Sequence, residues 1–376
     1  MLIDRISLIK IALFSTLCIE ITSVPLDFYI PIYGNVIGFI FLLILLLRNI
    51  KESIPALILL ISISIFYFLI NPNYYYNSIE PYKALVYAII VVLFSVDLRK
   101  IDYSPILMDV FFKYLLFIVI VYFLGFGIDD AGGSLRIQGL MSEPSALSLI
   151  LCYLFWSYLK LRQFKKLFFV IFVCLLTLSL VVYAQLFIFY IIYLLLEFDF
   201  KSYLRLFSIG VIIVGAIYFI TKSDSDFWLI RKAADAALYT ISNGDEGKNT
   251  RSVDLEKLNE EQKSNSFSYL IGNGPNYLVY YYGSRNMLTT TQNIQSILYF
   301  NYGLFGLIVG IWWIIFTLFY LRDTLYYFLF LSAISYSLIN TASGIVNDIY
   351  LYSLLFLSAS FLFSNRLKIA LLKFSN

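Results

Sequence analysis

Arg136 and Glu143 in "GGSLRIQGLMSEPSALS", Arg251 in "NTRSVDLEK" and Arg285 in "YYGSRNML" are the residues whose types could do chemistry at a membrane edge. A guanidinium stays charged and offers a planar fork of donors that fits phosphate oxygens, so two or three converging would bind a diphosphate. Each one alone also fits a plain surface charge. Glu143 and Pro144 suit the first turn of a helix, because proline needs no N–H there and a carboxylate favours the positive end of the helix dipole. Capping plus an Arg136–Glu143 ion pair is therefore the structural alternative to a cationic site. The chain has no histidine, which removes the commonest general base and the commonest metal ligand. Cys18, Cys152 and Cys174 fall inside apolar runs, where packing is the expected role rather than a disulfide or a metal site.

The elements that must position these residues are membrane helices. The 376 residues are 61% hydrophobic and 14% charged, against about half and about a quarter in a soluble domain. Apolar stretches recur at the length needed to cross a hydrocarbon core, and only helices satisfy their own backbone there. The expected spans are 6–24, 28–47, 54–71, 83–98, 106–127, 143–160, 167–181, 182–197, 204–221, 293–320, 325–340 and 349–364. The fold class is an all-α polytopic membrane protein of about twelve helices, one integral membrane domain over 1–376. The run from 167 to 197 is too long for one crossing and is read as a hairpin breaking near Ser179 to Gln185. The first apolar segment, with Lys10 and Glu20 inside it, is read as a retained helix rather than a signal peptide.

Short loops bearing Arg48 and Lys51, Arg99 and Lys100, Lys160 to Lys166, Lys201 and Arg205, Arg322, and Arg366 to Lys373 all fall on one side. The positive-inside rule makes that side, and both termini, cytoplasmic. The short outer loops are then 72–82, 128–142 and 341–348, with one large outer loop over 222–291. That loop holds an amphipathic stretch, "FWLIRKAADAALYTISNG", suited to the membrane surface, and a charged helix-prone stretch after Ser252. Arg136 is the only basic residue in the short outer loops, so orientation does not explain it. Asp129 and Asp130 are read as a solvated loop, because adjacent carboxylates point apart. Tyr74 to Tyr76, Tyr277 and Tyr280 to Tyr282 suit an interfacial aromatic belt, with stacking on sugar rings as the alternative. The net charge of +3 is small and scattered, and no nucleic-acid partner is expected.

The string "RIQGLMSEPSALS" before a helix, "TLS" near a helical hairpin, the large outer loop with Arg251, "IGNGPN" and "TQNIQSILYFNYGLFGLIVG" together resemble the O-antigen polymerase and O-antigen ligase group, over roughly residues 110 to 310. The resemblance implies a bacterial inner-membrane glycosyltransferase of the C-type membrane fold, with its large loop and active site in the periplasm. It implies oligosaccharide repeat units carried on undecaprenyl diphosphate as substrate, the lipid bilayer as surroundings, a chain-length-regulating membrane protein as a further partner, and no cofactor or metal.

Carried over by motif, Arg136 with Gly139 and Glu143 matches the arginine-to-Glu-Pro motif, and Arg251 matches the loop arginine. Both arginines would hold the diphosphate and stabilise its developing charge, with Arg285 as a third. Glu143 is the first choice for orienting or deprotonating the acceptor hydroxyl, with Asp348 in reserve. Asn293, Gly303 and Gly306 match the motif opening the helix after the large loop, and Gln292 and Tyr281 join the expected substrate contacts. Ligases usually have histidine at the position of Gln292, which counts against that branch, and Leu180 stands where an arginine often follows the hairpin serine. The alternatives are ligase transfer to a lipid A-core acceptor and a lipid-linked oligosaccharide flippase. A transporter usually shows internal pseudo-repeats, and the two halves here look unlike each other.

Overall fold

The apolar runs form helices in the computed structural model, which describes residues 4–23, 28–98, 101–131, 134–140, 147–197, 201, 208, 258–284, 294–322 and 324–339. Among these, four helical runs are long and apolar enough to cross a membrane: Val36–Ile70, Glu80–Leu98, Ser104–Phe123 and Gln295–Leu321. Shorter apolar helices lie at Leu147–Lys160, Val181–Leu196 and Leu325–Tyr336. Their outward faces carry Ile40, Ile44, Ile58, Leu59, Phe305, Ile308 and Trp312, all exposed. A continuous apolar exterior of this kind belongs in lipid rather than water. The expected spans 204–221 and 349–364, and the amphipathic stretch near 227–241, lie outside the described residues.

The chain divides into two compact units, Met1–Cys18 with Tyr33–Phe112 and Arg251–Asn376, and Ile19–Ile32 with Lys113–Thr250. In the first, the run from 36 to 70 bends at a short 3-10 turn, Leu47–Asn49. Phe39, before the turn, packs edge-on against Tyr87 with ring centroids 5.1 Å apart. Leu60, beyond it, is buried against Ala84 and Ala88. Both arms therefore pack against the middle of Glu80–Leu98.

The far end of this unit is built on tyrosines and glycines. Tyr67 donates to the Ile271 carbonyl at 2.9 Å and Tyr74 to the Pro275 carbonyl at 2.6 Å. These bonds hold the turn-rich "IGNGPN" stretch against the 71–80 connection. Ile294–Leu321 is not one straight helix, since Gly303 breaks it with φ 70°. A Cβ at Gly303 would stand 2.4 Å from the Leu270 carbonyl carbon, and one at Gly272 would stand 2.3 Å from the Asn301 oxygen. Two backbones cross here at a distance only glycine permits. Gly303→Ala is expected to cost about 1–3 kcal/mol from a non-glycine residue forced into that backbone region, plus the clash. Its thermal midpoint in detergent should fall further than that of Gly125→Ala, where φ is 90° but nothing lies within 4 Å.

The second unit adds a small sheet to a fold that is otherwise mostly helical and compatible with the all-α expectation. Its four short strands, β1 (Glu20–Ser23), β2 (Phe28–Pro31), β3 (Ile128–Ala131) and β4 (Ser134–Ile137), form one sheet in the order β2-β1-β3-β4. The expected first span, 6–24, is consequently a helix only over Arg5–Thr16, about 18 Å long at 1.5 Å per residue. The β-branched run Ile19, Ile21, Thr22, Val24 before Pro25 favours extended backbone over helix. The expected hairpin is present as Phe164–Thr177 and Leu180–Glu197, broken at Leu178, whose φ is 43°. Leu147–Lys160 packs against both arms, and Leu147 through Leu154 are all buried. Trp156 stacks on Phe189 at 4.9 Å and Tyr190 at 5.5 Å, which fixes the hairpin's second arm against this helix. Cys152 and Cys174 are both buried and form no disulfide.

Candidate functional site

Arg136 sits on β4, opposite Asp129 of β3 in the antiparallel register. Side chains alternate across a strand, so Arg136 lies on the face opposite the buried Ile128 and Ile137. Asp130 pairs with Leu135 in the same register. Asp129 and Asp130 are thus strand residues rather than a loop. Arg136 itself is half-buried.

The segment after Arg136 is tied down on several sides. Gln138 and Gly139 both donate backbone N–H bonds to the Gly127 carbonyl, at 2.8 and 3.1 Å. The Leu140 N–H donates to the Tyr114 hydroxyl at 3.3 Å, and its carbonyl accepts from Ile19 at 2.7 Å. Gly139 has φ 72°, and a Cβ on Gly127 would meet its oxygen at 2.6 Å. Gly139 therefore has a backbone role, allowing the 127 and 139 chains to cross, which the motif alone did not reveal. This crossing lies three residues past Arg136 and four before Glu143, so it sets the path by which the chain leaves the sheet.

In the first unit, the return from the large loop converges on the broken helix. The Gln262 amide donates to the Tyr299 carbonyl at 2.7 Å, Gly274 N–H to the Asn301 carbonyl at 2.9 Å, and Leu278 N–H to Asn301 Oδ1 at 3.0 Å. The first two bonds occupy backbone carbonyls near the break at Gly303, and the third uses the Asn301 side chain. Tyr281 is buried, 4% exposed, on the helix Tyr277–Ser284. Its ring packs near Tyr277, at 6.4 Å between centroids, a core position rather than an open stacking face. Burial also pushes the Tyr75 phenol above its ordinary range, with Tyr67 and Tyr82 adding to the shift. Glu143, Arg251, Arg285, Gln292 and Asn293 lie outside the described residues.

No family model matches the chain, and no characterised protein matches it.

One polar centre escaped the sequence reading altogether. Asp97 is completely buried and takes Arg5 at 2.5 Å and Arg48 at 3.2 Å as ion pairs. Asn49 donates to Asp97 Oδ1 at 2.8 Å and to the Leu93 carbonyl at 3.1 Å, and the Tyr103 hydroxyl donates to Asp97 Oδ2 at 2.9 Å. Burial, then the Asp97 charge beside it, pushes the Tyr103 phenol above its ordinary range, so it remains a donor. Five residues further on, Asp102 accepts from Tyr326 at 2.8 Å, while the same hydroxyl accepts the Tyr103 and Ser104 N–H groups at 2.6 and 3.0 Å. The start of the chain, the 47–49 turn, the 97–104 connection and the start of Leu325–Ile339 are thereby joined. The one signal was a lone carboxylate at the end of an apolar run.

Proposed function

We propose that the protein is a lipid-linked oligosaccharide polymerase of the bacterial inner membrane, working on the periplasmic face. The observation that carries the reading is Arg136, half-buried on a hairpin whose exit is pinned at Gly127, Tyr114 and Ile19, and the single basic residue of the loops expected to be short and outer. A cation held in that way is positioned for one anionic group rather than spread over a surface.

In the proposed reaction, the growing glycan is bound through its anomeric carbon to undecaprenyl diphosphate. A hydroxyl of the next lipid-linked repeat unit attacks that carbon, the new glycosidic bond forms, and the bond to the diphosphate oxygen breaks. The electron pair leaves on the diphosphate, where Arg136 and Arg251, with Arg285, offset the growing charge. The hydroxyl proton passes to Glu143 or to water. Diphosphate is a good leaving group, so holding the two lipid-linked chains in place supplies much of the rate. Gln292 in place of histidine favours polymerase over ligase within the resembled group.

Purified protein reconstituted with its lipid-linked repeat unit should produce a ladder of oligomers on lipid, separable by size. Transfer seen only when a lipid A-core acceptor is added would replace this reading with a ligase. Bound substrate without any new glycosidic bond under either condition would replace it with transport.

A further inference from the structure

Around Asp97, donors outnumber acceptors. One carboxylate offers about four acceptor positions, and each guanidinium carries five N–H donors. Asp97 Oδ1 already takes Arg48 and Asn49, and Oδ2 takes Arg5 and Tyr103, so the carboxylate is full. A single negative charge also neutralises only one of the two arginines. Arg5 Nε is buried with no hydrogen-bond partner among the described residues, and the Arg48 side chain is 50% exposed. Lys51 and Glu52, both exposed on the next turn, offset each other. Arg48 therefore stands half exposed at this end of the unit, with donors beyond those it gives to Asp97.

The place of the cluster points to its ligand. Asp97 lies one residue from the end of Glu80–Leu98, a helix apolar and long enough to cross a membrane, and Arg48 reaches it from the turn Leu47–Asn49. The ends of such helices stand at the level of lipid headgroups. We propose that Arg48, backed by Arg5 and Asp97, is a docking site for the phosphodiester of an anionic membrane lipid. The exposed guanidinium fork takes two phosphate oxygens, and its positive charge favours a lipid with net negative charge over a zwitterionic one. Asp97 serves to hold both arginines at the headgroup level rather than to bind the lipid.

The test is a thermal-shift titration of the full-length protein in dodecyl maltoside, with phosphatidylglycerol, phosphatidylcholine or inorganic phosphate as the additive. Phosphatidylglycerol should raise the wild-type midpoint at the lowest concentration. In Arg48→Gln the concentration giving half the shift should rise about tenfold, the loss expected for one charge-assisted contact. Its lipid-free midpoint should stay close to wild type, because a half-exposed ion pair adds little stability. Lys165→Gln, which removes an exposed lysine elsewhere in the chain, should titrate as wild type. Arg48→Lys, keeping the charge without the fork, should fall between and serves if the glutamine variant fails to fold. An unchanged titration in Arg48→Gln would overturn the site. Equal effects of phosphatidylcholine and phosphatidylglycerol would overturn its charge selectivity, and a full shift with inorganic phosphate alone would assign the site to a soluble anion. None of these outcomes depends on the glycosyl transfer proposed above.

Discussion

Arg136→Ala is expected to abolish polymer while leaving the protein in the membrane. Removing one preorganised donor from a developing oxyanion typically costs about 2.7–4 kcal/mol, or a hundredfold to a thousandfold in rate. The loss should be read as oligomers formed per unit of protein, with the amount in the membrane fraction measured by immunoblot. The register opposite Asp129 supplies a competing explanation, in which the arginine only balances a neighbouring carboxylate across the hairpin. The two separate in a double-mutant cycle. If balancing is the whole role, Asp129→Ala should restore the Arg136→Ala enzyme; if Arg136 holds the diphosphate, the double variant stays inactive. Polymer at the wild-type level in Arg136→Ala would end the assignment outright.

Glu143→Gln is expected to be equally inactive if the carboxylate takes the acceptor proton, and its residual activity should lose the acid limb of the wild-type pH profile. A carboxylate that only orients Arg136 should instead leave a partly active glutamine variant with that limb intact, because the amide keeps an acceptor oxygen. Retained polymer at the wild-type level would remove Glu143 from the site altogether.

Much of the helical layout is written in hydropathy. Glu80–Leu98 and Ser104–Phe123 lie within a few residues of the apolar runs that predict them, and the break at Leu178 falls at the edge of the expected hairpin turn. The charge pattern also carried structural information. Counting charges groups Arg48 with the 99–105 connection, and the structure bonds Arg48 and Tyr103 to the same carboxylate, Asp97. The strands were hidden because a window long enough to detect a helix averages over a four-residue strand. Their pairing was hidden as well, since Ser23 meets Ile128 across more than a hundred residues of chain. Gly139 and Gly303 were legible as motif letters but not as backbone crossings, which depend on partners far away in sequence. Asp97 was missed because the arginines were read for membrane orientation, and orientation says nothing about which carboxylate they meet.

Replacing Asp97 with leucine is expected to destabilise the first unit by about 3–5 kcal/mol, the usual cost of removing one partner from a buried ion pair. Asn49 and Tyr103, buried at 1% and 0% exposure, would each lose an acceptor at the same time, and an unsatisfied buried donor carries its own penalty. The effects should be graded by exposure. Arg5→Ala should cost less than Asp97→Leu, since its side chain is 23% exposed and water can take over part of its role. Arg48→Ala, half exposed, should cost least, at no more than about 1 kcal/mol. Pairing Arg5→Leu with Asp97→Leu should recover part of the loss, because the apolar pair leaves one fewer guanidinium without its counter-ion. Thermal midpoints of the four variants in one detergent would give the order. A wild-type midpoint for Asp97→Leu would mean that helix packing alone holds these segment ends together, and that Arg48 could occupy the headgroup layer without a carboxylate behind it.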